Sequence, residues 1–152
     1  MDLRDQKFGI EIEMTGITRQ RAAEVLSEYL GGYTDYEGSG YGTYTVADNE
    51  NRKWKLVSDA SIQCQKKVGN RKQIADRDYS VELVSPICRY EDIEKIQEMI
   101  RVLREAGAFS NKSCGIHIHI NAAPFEAYQL RNLVNIIASK EDMVYRALQV
   151  DS

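Results

Sequence analysis

Two segments that alternate strictly between apolar and polar residues limit what this chain can fold into more than any other feature. Lys7–Met14 reads KFGIEIEM, and Ser113–Asn121 reads SCGIHIHIN. A period of two is typical of a β-strand with one apolar face. Both segments therefore predict strands whose isoleucines fill a core, while glutamates and histidines line the opposite face of the sheet.

Segments with helical periodicity separate the predicted strands. Helices are expected over Thr18–Leu30, Tyr90–Ala106, Pro124–Ala138 and Ser139–Leu148. Thr18 and Ser139 are residue types that cap helix N-termini. The apolar residues Leu130, Leu133, Val134 and Ile137 are expected to face inward.

Further strands complete the predicted sheet. They are expected over Thr43–Asp48, Lys53–Ser58, Ala60–Val68 and Ser80–Val84, with the first two forming a hairpin. The glycine- and tyrosine-rich stretch between Gly31 and Asn51 is either a mobile flap or an ordinary loop leading into this hairpin, and we favour the loop. Gly69–Asp78 reads as a polar loop. Strands interleaved with helices indicate the α+β class, with a mostly antiparallel sheet flanked by helices.

Length, charge and cysteine content argue against several classes of protein. The 152 residues match one domain over 1–152, and a net charge of −3 argues against a nucleic-acid binder held by bulk positive charge. No apolar run approaches the roughly 18–20 residues of a membrane span, and the first residues resemble no secretory signal. Cys64, Cys88 and Cys114 form no CxxC pair, so we expect free thiols and a cytoplasmic location.

A third predicted strand carries an acidic residue in an apolar setting. Val81 and Leu83 face one side of this strand, whereas Glu82 and Val84 face the other. Burying an unpaired carboxylate is costly, so Glu82 requires a partner, for which a lysine or arginine is the ordinary choice. Taken singly, the glutamates of the first strand fit a solvated sheet face, and an HxH strand also arises by chance.

Together these residues predict a metal site. Glu11, Glu13, Glu82 and His117 offer an oxygen-rich set of ligands with one imidazole, which suits Mg²⁺ or Mn²⁺ better than zinc. Three converging carboxylates require positive charge, and the divalent ions that supply it usually bind substrate phosphates as well. The chemistry indicated is phosphoryl transfer.

The order of these motifs resembles that of the amidoligase family, the carboxylate–amine ligases related to glutamine synthetase and glutamate–cysteine ligase. The resemblance rests on four segments between Lys7 and Asn121. They are FGIEIE with Glu11 and Glu13, W-x4-D-x-S with Trp54, Asp59 and Ser61, ELVSP with Glu82, and GIHIH with Gly115, His117 and His119. It implies a glutamine-synthetase-like half-barrel that is incomplete at the C-terminus.

The resemblance also implies roles for individual residues. The metal ligands would be Glu11, Glu13, Glu82 and His117. His119 would lie near the ATP phosphates, and Asp59 and Ser61 would bind substrate or support the residues that do. Trp54 is expected to pack in the core.

The reaction implied by the resemblance is ATP-dependent amide formation. A substrate carboxylate attacks the γ-phosphoryl group of ATP, and an amine then displaces phosphate from the acyl phosphate. The cofactors would be ATP and Mg²⁺ or Mn²⁺, and the partners a small-molecule or peptide carboxylate and an amine. No enzyme nucleophile is needed, so no single catalytic residue is assigned.

The chain is shorter than most ligases of this type, in which further strands and arginines follow the HxH segment. We therefore expect either the N-terminal portion of a larger enzyme or a shortened relative, with poor turnover by this chain alone. Sheet edges left exposed would favour self-association.

Two other functions stay open at this point. A non-catalytic binding domain would use the acidic and histidine-bearing sheet face for a partner, and chelators would not change its melting temperature. A metal-dependent hydrolase or nuclease would use the same ligands without ATP. The near-neutral charge balance and the lack of an obvious general base argue against the hydrolase.

Overall fold

The computed structural model describes residues 2–38 and 42–148, which contain eight strands and three α-helices. The strands are Phe8–Met14 (β1), Thr34–Tyr36 (β2), Tyr44–Ala47 (β3), Lys53–Val57 (β4), Gln65–Val68 (β5), Arg71–Ile74 (β6), Val81–Val84 (β7) and Ile116–Ile120 (β8). The helices are Arg19–Leu30 (α1), Asp92–Glu105 (α2) and Ala127–Leu148 (α3).

Six strands form one sheet in the order β2-β3-β4-β7-β1-β8, and β5 pairs with β6 in a separate hairpin. Every pairing between the described strands is antiparallel. The predicted α+β class with a mostly antiparallel sheet is therefore confirmed. Because β1 lies between β7 and β8, its glutamates meet residues that are distant in the sequence on both sides.

Side chains from the sheet and from helices α1 and α2 form the core. Trp54, Leu83, Leu26 and Leu103 are almost completely buried in one apolar cluster. Each such side chain contributes about 1.5–3 kcal/mol by leaving water. Since neighbouring residues of a strand face opposite sides, burial of Leu83 places Glu82 on the far face of the sheet, as the sequence predicts.

The chain divides into two units, Met1–Ile120 and Asn121–Ser152. The sheet, the hairpin, α1 and α2 belong to the first unit, and α3 belongs to the second. No helix in the described part of the chain combines the length and apolar composition that a membrane crossing requires. The expectation of one domain over 1–152 stays a prediction.

Helix α3 is continuous, whereas the sequence predicts two helices that meet at Ser139. The Ser139 hydroxyl donates to the Ile136 carbonyl oxygen (2.9 Å) within the helix, so Ser139 does not cap a new one. The apolar residues expected to face inward, Leu130, Leu133, Val134 and Ile137, are 37–63% exposed. Apart from α3, the described part of its unit contains no helix or strand against which they could pack.

The segment 69–78 is not the polar loop that its composition indicates. Gly69 has a φ of +58° and forms a two-residue turn with Asn70, so Val68 pairs with Arg71. Residues Arg71–Ile74 thereby form β6. Of the strand expected over Ala60–Val68, the part from Gln65 onwards forms β5.

The isoleucines of β8 do not fill the core, contrary to expectation. Ile116, Ile118 and Ile120 are more than half exposed because β8 is an edge strand of the sheet. An open apolar cavity that Ile118 and Ile120 share with Ile93 of α2 lies on this side of the strand. The alternation of β8 therefore indicates its two faces correctly but not their burial.

The glycine- and tyrosine-rich stretch is described on both sides of residues 39–41. These three positions, which include Gly40 and Tyr41, lie outside the described residues. Residues Thr34–Tyr36 pair with β3, and the rings of Tyr36 and Tyr44 lie 4.7 Å apart. This arrangement agrees with a loop that leads into an edge hairpin.

A buried ionic network joins the β3–β4 hairpin to the start of α2. Asp48 accepts hydrogen bonds from Arg52 Nε (3.0 Å) and Trp54 Nε1 (3.2 Å), and Arg52 also contacts Asp92 (2.8 Å). Burial alone would raise the pKa of Asp48, but the hydrogen bonds from Arg52 and Trp54 outweigh it and lower that pKa. The network therefore fixes the outer part of the sheet against the helical layer.

Replacing Asp48 tests this network. Asp48→Asn is expected to lower the free energy of unfolding by about 3 kcal/mol, because it leaves the Arg52 guanidinium short of a negative partner. Urea unfolding measures the change, with Asp35→Asn on the exposed strand β2 as the matched control, expected within about 0.5 kcal/mol of wild type. Equal stability of Asp48→Asn and Asp35→Asn would contradict the network's importance.

Candidate metal centre

The sheet face opposite the core brings together ionisable side chains from three strands. Glu11 of β1 lies directly opposite His117 of β8, and Glu13 lies directly opposite Glu82 of β7. Side chains in such cross-strand pairs have Cβ atoms about 4.5–5.5 Å apart. The strand register therefore collects all four residues that the sequence predicts as metal ligands, although their role as ligands stays a prediction.

Both histidines of β8 contact Glu11. His117 Nδ1 lies 3.1 Å from Glu11 Oε2, and His119 Nε2 lies 3.2 Å from Glu11 Oε1. The hydrogen bond with His117 lowers the pKa of Glu11 and raises the pKa of His117. Glu11 is therefore a carboxylate at neutral pH, and the contact through Nδ1 leaves Nε2 of His117 for another ligand.

The potential ligand atoms form two overlapping groups. One contains Glu11, Glu82 and His117, and the other contains Glu13, Asp59 and Glu82. Within each group the ligand atoms lie within 4.8 Å of one another. Because Glu82 belongs to both groups, the arrangement can hold two neighbouring cations that share one carboxylate, as two-metal sites do.

Glu82 has three negatively charged neighbours in the centre. Burial raises the pKa of Glu82, and the nearby charges of Glu11, Asp59 and Glu13 raise it further. Among the described residues, no lysine or arginine forms an ion pair with Glu82. The lysine or arginine that ordinarily pairs with such a carboxylate is therefore missing from the described ranges. A divalent cation would neutralise Glu82 in its place.

The segment before β8 holds Glu13 and keeps space beside it. The backbone N–H of Gly115 donates to Glu13 Oε2 (2.7 Å), and the N–H of Glu13 donates to the Gly115 carbonyl oxygen (3.1 Å). A Cβ at position 115 would lie 3.6 Å from His117 Nε2 and 3.7 Å from Glu13 Oε2. A methyl group at position 115 would therefore be in van der Waals contact with one potential ligand atom from each of the two groups.

Asp59 follows β4 and is oriented by serines. The backbone N–H (2.6 Å) and the hydroxyl of Ser61 both donate to Asp59 Oδ1, and these hydrogen bonds lower the pKa of Asp59. The Ser80 hydroxyl accepts from the Asp59 N–H (3.0 Å) and donates to the Asp59 carbonyl oxygen (2.8 Å). Ser61 thus supports Asp59, while the substrate-binding role predicted for both residues remains a prediction.

Two arginines that sequence reasoning missed support this loop. Arg77 Nη2 donates to the Asp59 carbonyl oxygen (2.8 Å), and Arg19 Nη1 donates to the Ser80 carbonyl oxygen (2.8 Å). Arg19 is 7% exposed, although it opens an amphipathic helix. Its sequence position carries no signal of this burial, because the first turn of a helix is ordinarily solvated.

Lys55 is a basic residue on the site face of the sheet that sequence reasoning also missed. It lies opposite Val84, and Val84 lies opposite Glu11, so the three residues form one cross-strand row. The alternation KWKLV in β4 could have indicated that its lysines point away from the core. Lys55 gives the face a positive group two strands away from the carboxylates of β1.

The chain matches a protein-family model from residue 4 to residue 152, under the description "Putative amidoligase enzyme". The chain belongs to the amidoligase family. The matched range contains all the residues of the two ligand groups, and the resemblance inferred from the order of the motifs is confirmed. Membership of the amidoligase family indicates an enzyme of the ligase type, without specifying its substrates. No curated protein and no solved structure matched this chain.

Glu82→Gln tests the electrostatics of the centre. Because the pKa of Glu82 is raised above its ordinary value of 4.5, its ionisation costs folding stability that is regained as the pH falls. In EDTA at about pH 7.5 the variant is therefore expected to melt at a higher temperature than wild type, and the difference should vanish towards about pH 4.5.

Differential scanning fluorimetry across this pH range measures the effect. Glu28→Gln on the exposed side of α1 removes the same charge away from the centre and serves as the control. A Glu82→Gln protein that melts below wild type in EDTA at neutral pH would show that Glu82 is stabilised by a partner within the protein.

Proposed function

We propose that this amidoligase is an ATP-dependent carboxylate–amine ligase that uses Mg²⁺ or Mn²⁺ at the Glu82-centred sheet face. The observation that carries the proposal is the sharing of Glu82 between two groups of ligand atoms. A face with this excess of carboxylate suits a hard divalent cation together with the phosphates that such a cation binds. Family membership supports the ligase type of reaction.

The two ligand groups would hold the cations in different ways. The group of Glu11, Glu82 and His117 offers two carboxylates and one imidazole, and the group with Glu13 and Asp59 offers oxygen alone. When bound, the cations would neutralise the negative charge that builds up on the phosphoryl group during transfer.

The remaining residues of the face would position the reactants. His119 lies beside Glu11, which supports its assignment near the nucleotide phosphates, and Lys55 offers a further positive group on the same side of the sheet. A carboxylate oxygen of the substrate attacks the γ-phosphorus and ADP leaves. The amine nitrogen then attacks the acyl carbon and inorganic phosphate leaves. Catalysis rests on positioning, without an enzyme nucleophile.

We also propose that the six-stranded sheet corresponds to a glutamine-synthetase-like half-barrel. The position of β1 between β7 and β8 supports this, because it brings the ExE and HxH motifs onto one face. The edge position of β8 supports self-association through that edge. Three free thiols support a cytoplasmic location.

Gly115→Ala separates metal binding from folding. A methyl group at 3.6–3.7 Å from its neighbours is in ordinary contact, so the melting temperature in EDTA is expected to stay near that of wild type. The same methyl group would occupy the space beside His117 Nε2 and weaken binding of Mg²⁺ with a non-hydrolysable ATP analogue by about tenfold, or about 1.4 kcal/mol.

Isothermal titration calorimetry measures this binding, with Glu13→Ala as the variant expected to abolish it. Asp35→Asn on β2 is expected to bind like wild type. If wild type binds no nucleotide with Mg²⁺ and EDTA leaves its melting temperature unchanged, the chain is the non-catalytic binding domain instead.

The reaction itself can be detected with hydroxylamine as the amine. ATP, Mg²⁺, hydroxylamine and a glutamyl peptide are expected to give a hydroxamate and ADP in equal amounts, because hydroxylamine captures an acyl phosphate. Omitting the carboxylate should stop both products. Release of phosphate that needs neither carboxylate nor amine, or cleavage of a phosphodiester without ATP, would indicate a metal-dependent hydrolase.

A further inference from the structure

The β5–β6 hairpin and the last turns of α2 form a positively charged surface on a chain whose net charge is −3. We call it the basic hairpin surface and define it by Lys67, Lys72, Arg101 and Arg104. All four residues are exposed. The surface is separate from the metal centre, and neither its lysines nor its arginines contribute to the two groups of ligand atoms.

The two lysines of this surface are directly opposed across the hairpin. Lys67 pairs with Lys72, and both ammonium groups lie over the ring of Phe109, at 5.3 and 4.4 Å from its centre. Like charges in such a pair repel, and an exposed cation–π contact is weakly stabilising. The aromatic ring therefore holds the two charges in place without neutralising them, and an anion bound between them would relieve the repulsion.

Helix α2 adds guanidinium groups to the same surface. Arg101, Arg104 and Lys67 line a cavity of about 470 Å³ whose floor includes Phe109. Glu98 forms an ion pair with Arg101, and Glu105 also lines the cavity, so four basic residues face two acidic ones. The excess is positive, and guanidinium groups bind carboxylates with paired hydrogen bonds.

The surface is attached to the strand that carries the metal-centre glutamates. Gln65, the first residue of β5, donates its N–H to Thr15 Oγ1 (2.8 Å), which donates to the Gln65 carbonyl oxygen (2.9 Å). Phe109 forms a β-bridge with Thr15 as well. Thr15 follows Glu13 by two residues, a distance of about 6.5–7 Å along a strand. The hairpin is therefore attached to the chain two residues after Glu13, and an extended peptide of about eight residues, which spans roughly 26–29 Å, is much longer than that spacing.

We propose that the basic hairpin surface binds an acidic peptide, whose carboxylates contact Lys67, Lys72 and the two arginines while a further carboxylate of the same peptide reaches the metal centre. The second half of this statement rests on the proposed function. A carboxylate-rich peptide matches both the positive excess of the surface and the group that an amide-forming centre consumes. A nucleic acid is also an anion, but it lacks the carboxylate that an amide-forming centre consumes.

Fluorescence anisotropy with a labelled oligo-glutamate peptide of about eight residues tests the proposal. The double variant Lys67→Gln, Lys72→Gln is expected to weaken binding by at least about fivefold, since two exposed charge pairs contribute about 0.5–1 kcal/mol each. The variant removes a repulsive pair together with two exposed cation–π contacts, so its melting temperature should stay near that of wild type. Arg4→Gln, Lys7→Gln removes the same charge at the other end of β1 and should bind like wild type.

An oligo-glutamine peptide and a single-stranded oligonucleotide of similar length complete the experiment. Equal peptide binding by wild type and by the Lys67, Lys72 double variant would overturn the proposal, and so would tighter binding of the oligonucleotide. Binding of Mg²⁺ with the ATP analogue is measured on the same proteins. If wild type does not bind Mg²⁺ with the ATP analogue, the result counts against the proposed function. If the Lys67, Lys72 double variant loses peptide binding but still binds Mg²⁺ with the ATP analogue, the peptide binds at the basic hairpin surface.

Discussion

Glu13 and Glu82 face each other across neighbouring strands, and the core of the protein keeps them there. One residue away, Ile12 and Leu83 form the adjacent pair on the apolar side of the same two strands. A shift of either strand by one residue would bury the carboxylates and expose the apolar side chains, so the register cannot relax to separate the charges. Hydrophobic packing on one face thus maintains electrostatic repulsion on the other. Because no lysine or arginine of the described ranges pairs with Glu82, we propose that a cation neutralises these carboxylates.

Hydrogen bonds from neighbouring segments also hold the carboxylates of the metal centre in place. Gly115 holds one oxygen of Glu13 through its N–H and leaves the neighbouring space open, while Ser61 and Ser80 fix Asp59 at the end of β4. Arg19 links the Ser80 carbonyl oxygen to helix α1 and thereby to the core. The ligand atoms are therefore positioned before any ion binds, which lowers the entropic cost of binding. Thr15, which directly follows β1, accepts the hydrogen bond from Gln65 that attaches the basic hairpin beside the strand carrying Glu11 and Glu13.

Much of this arrangement is readable from the sequence, because alternation and motif order depend on local patterns. The facing of Glu11, Glu13, Glu82 and His117, and the cap at Thr18, follow from spacing and residue type. The β6 strand was missed because a polar composition conceals the short Gly69–Asn70 turn. The exposure of the β8 isoleucines depends on strand order, which alternation does not contain. Arg19 approaches the site only through tertiary contacts, so no local pattern indicates it, whereas the alternation in β4 indicates the face on which Lys55 lies but not its position relative to the carboxylates.

Glu82 is proposed to lie between cations rather than beside a basic side chain. Crystals grown with Mn²⁺ and measured near the manganese absorption edge test it most directly. We expect anomalous density at Glu82, with a coordinating oxygen from Glu82 and further ligands from His117 and Glu11 or from Glu13 and Asp59. Absence of anomalous density at Glu82 in crystals that contain Mn²⁺, with a lysine or arginine paired to its carboxylate, would show that Glu82 is not a metal ligand.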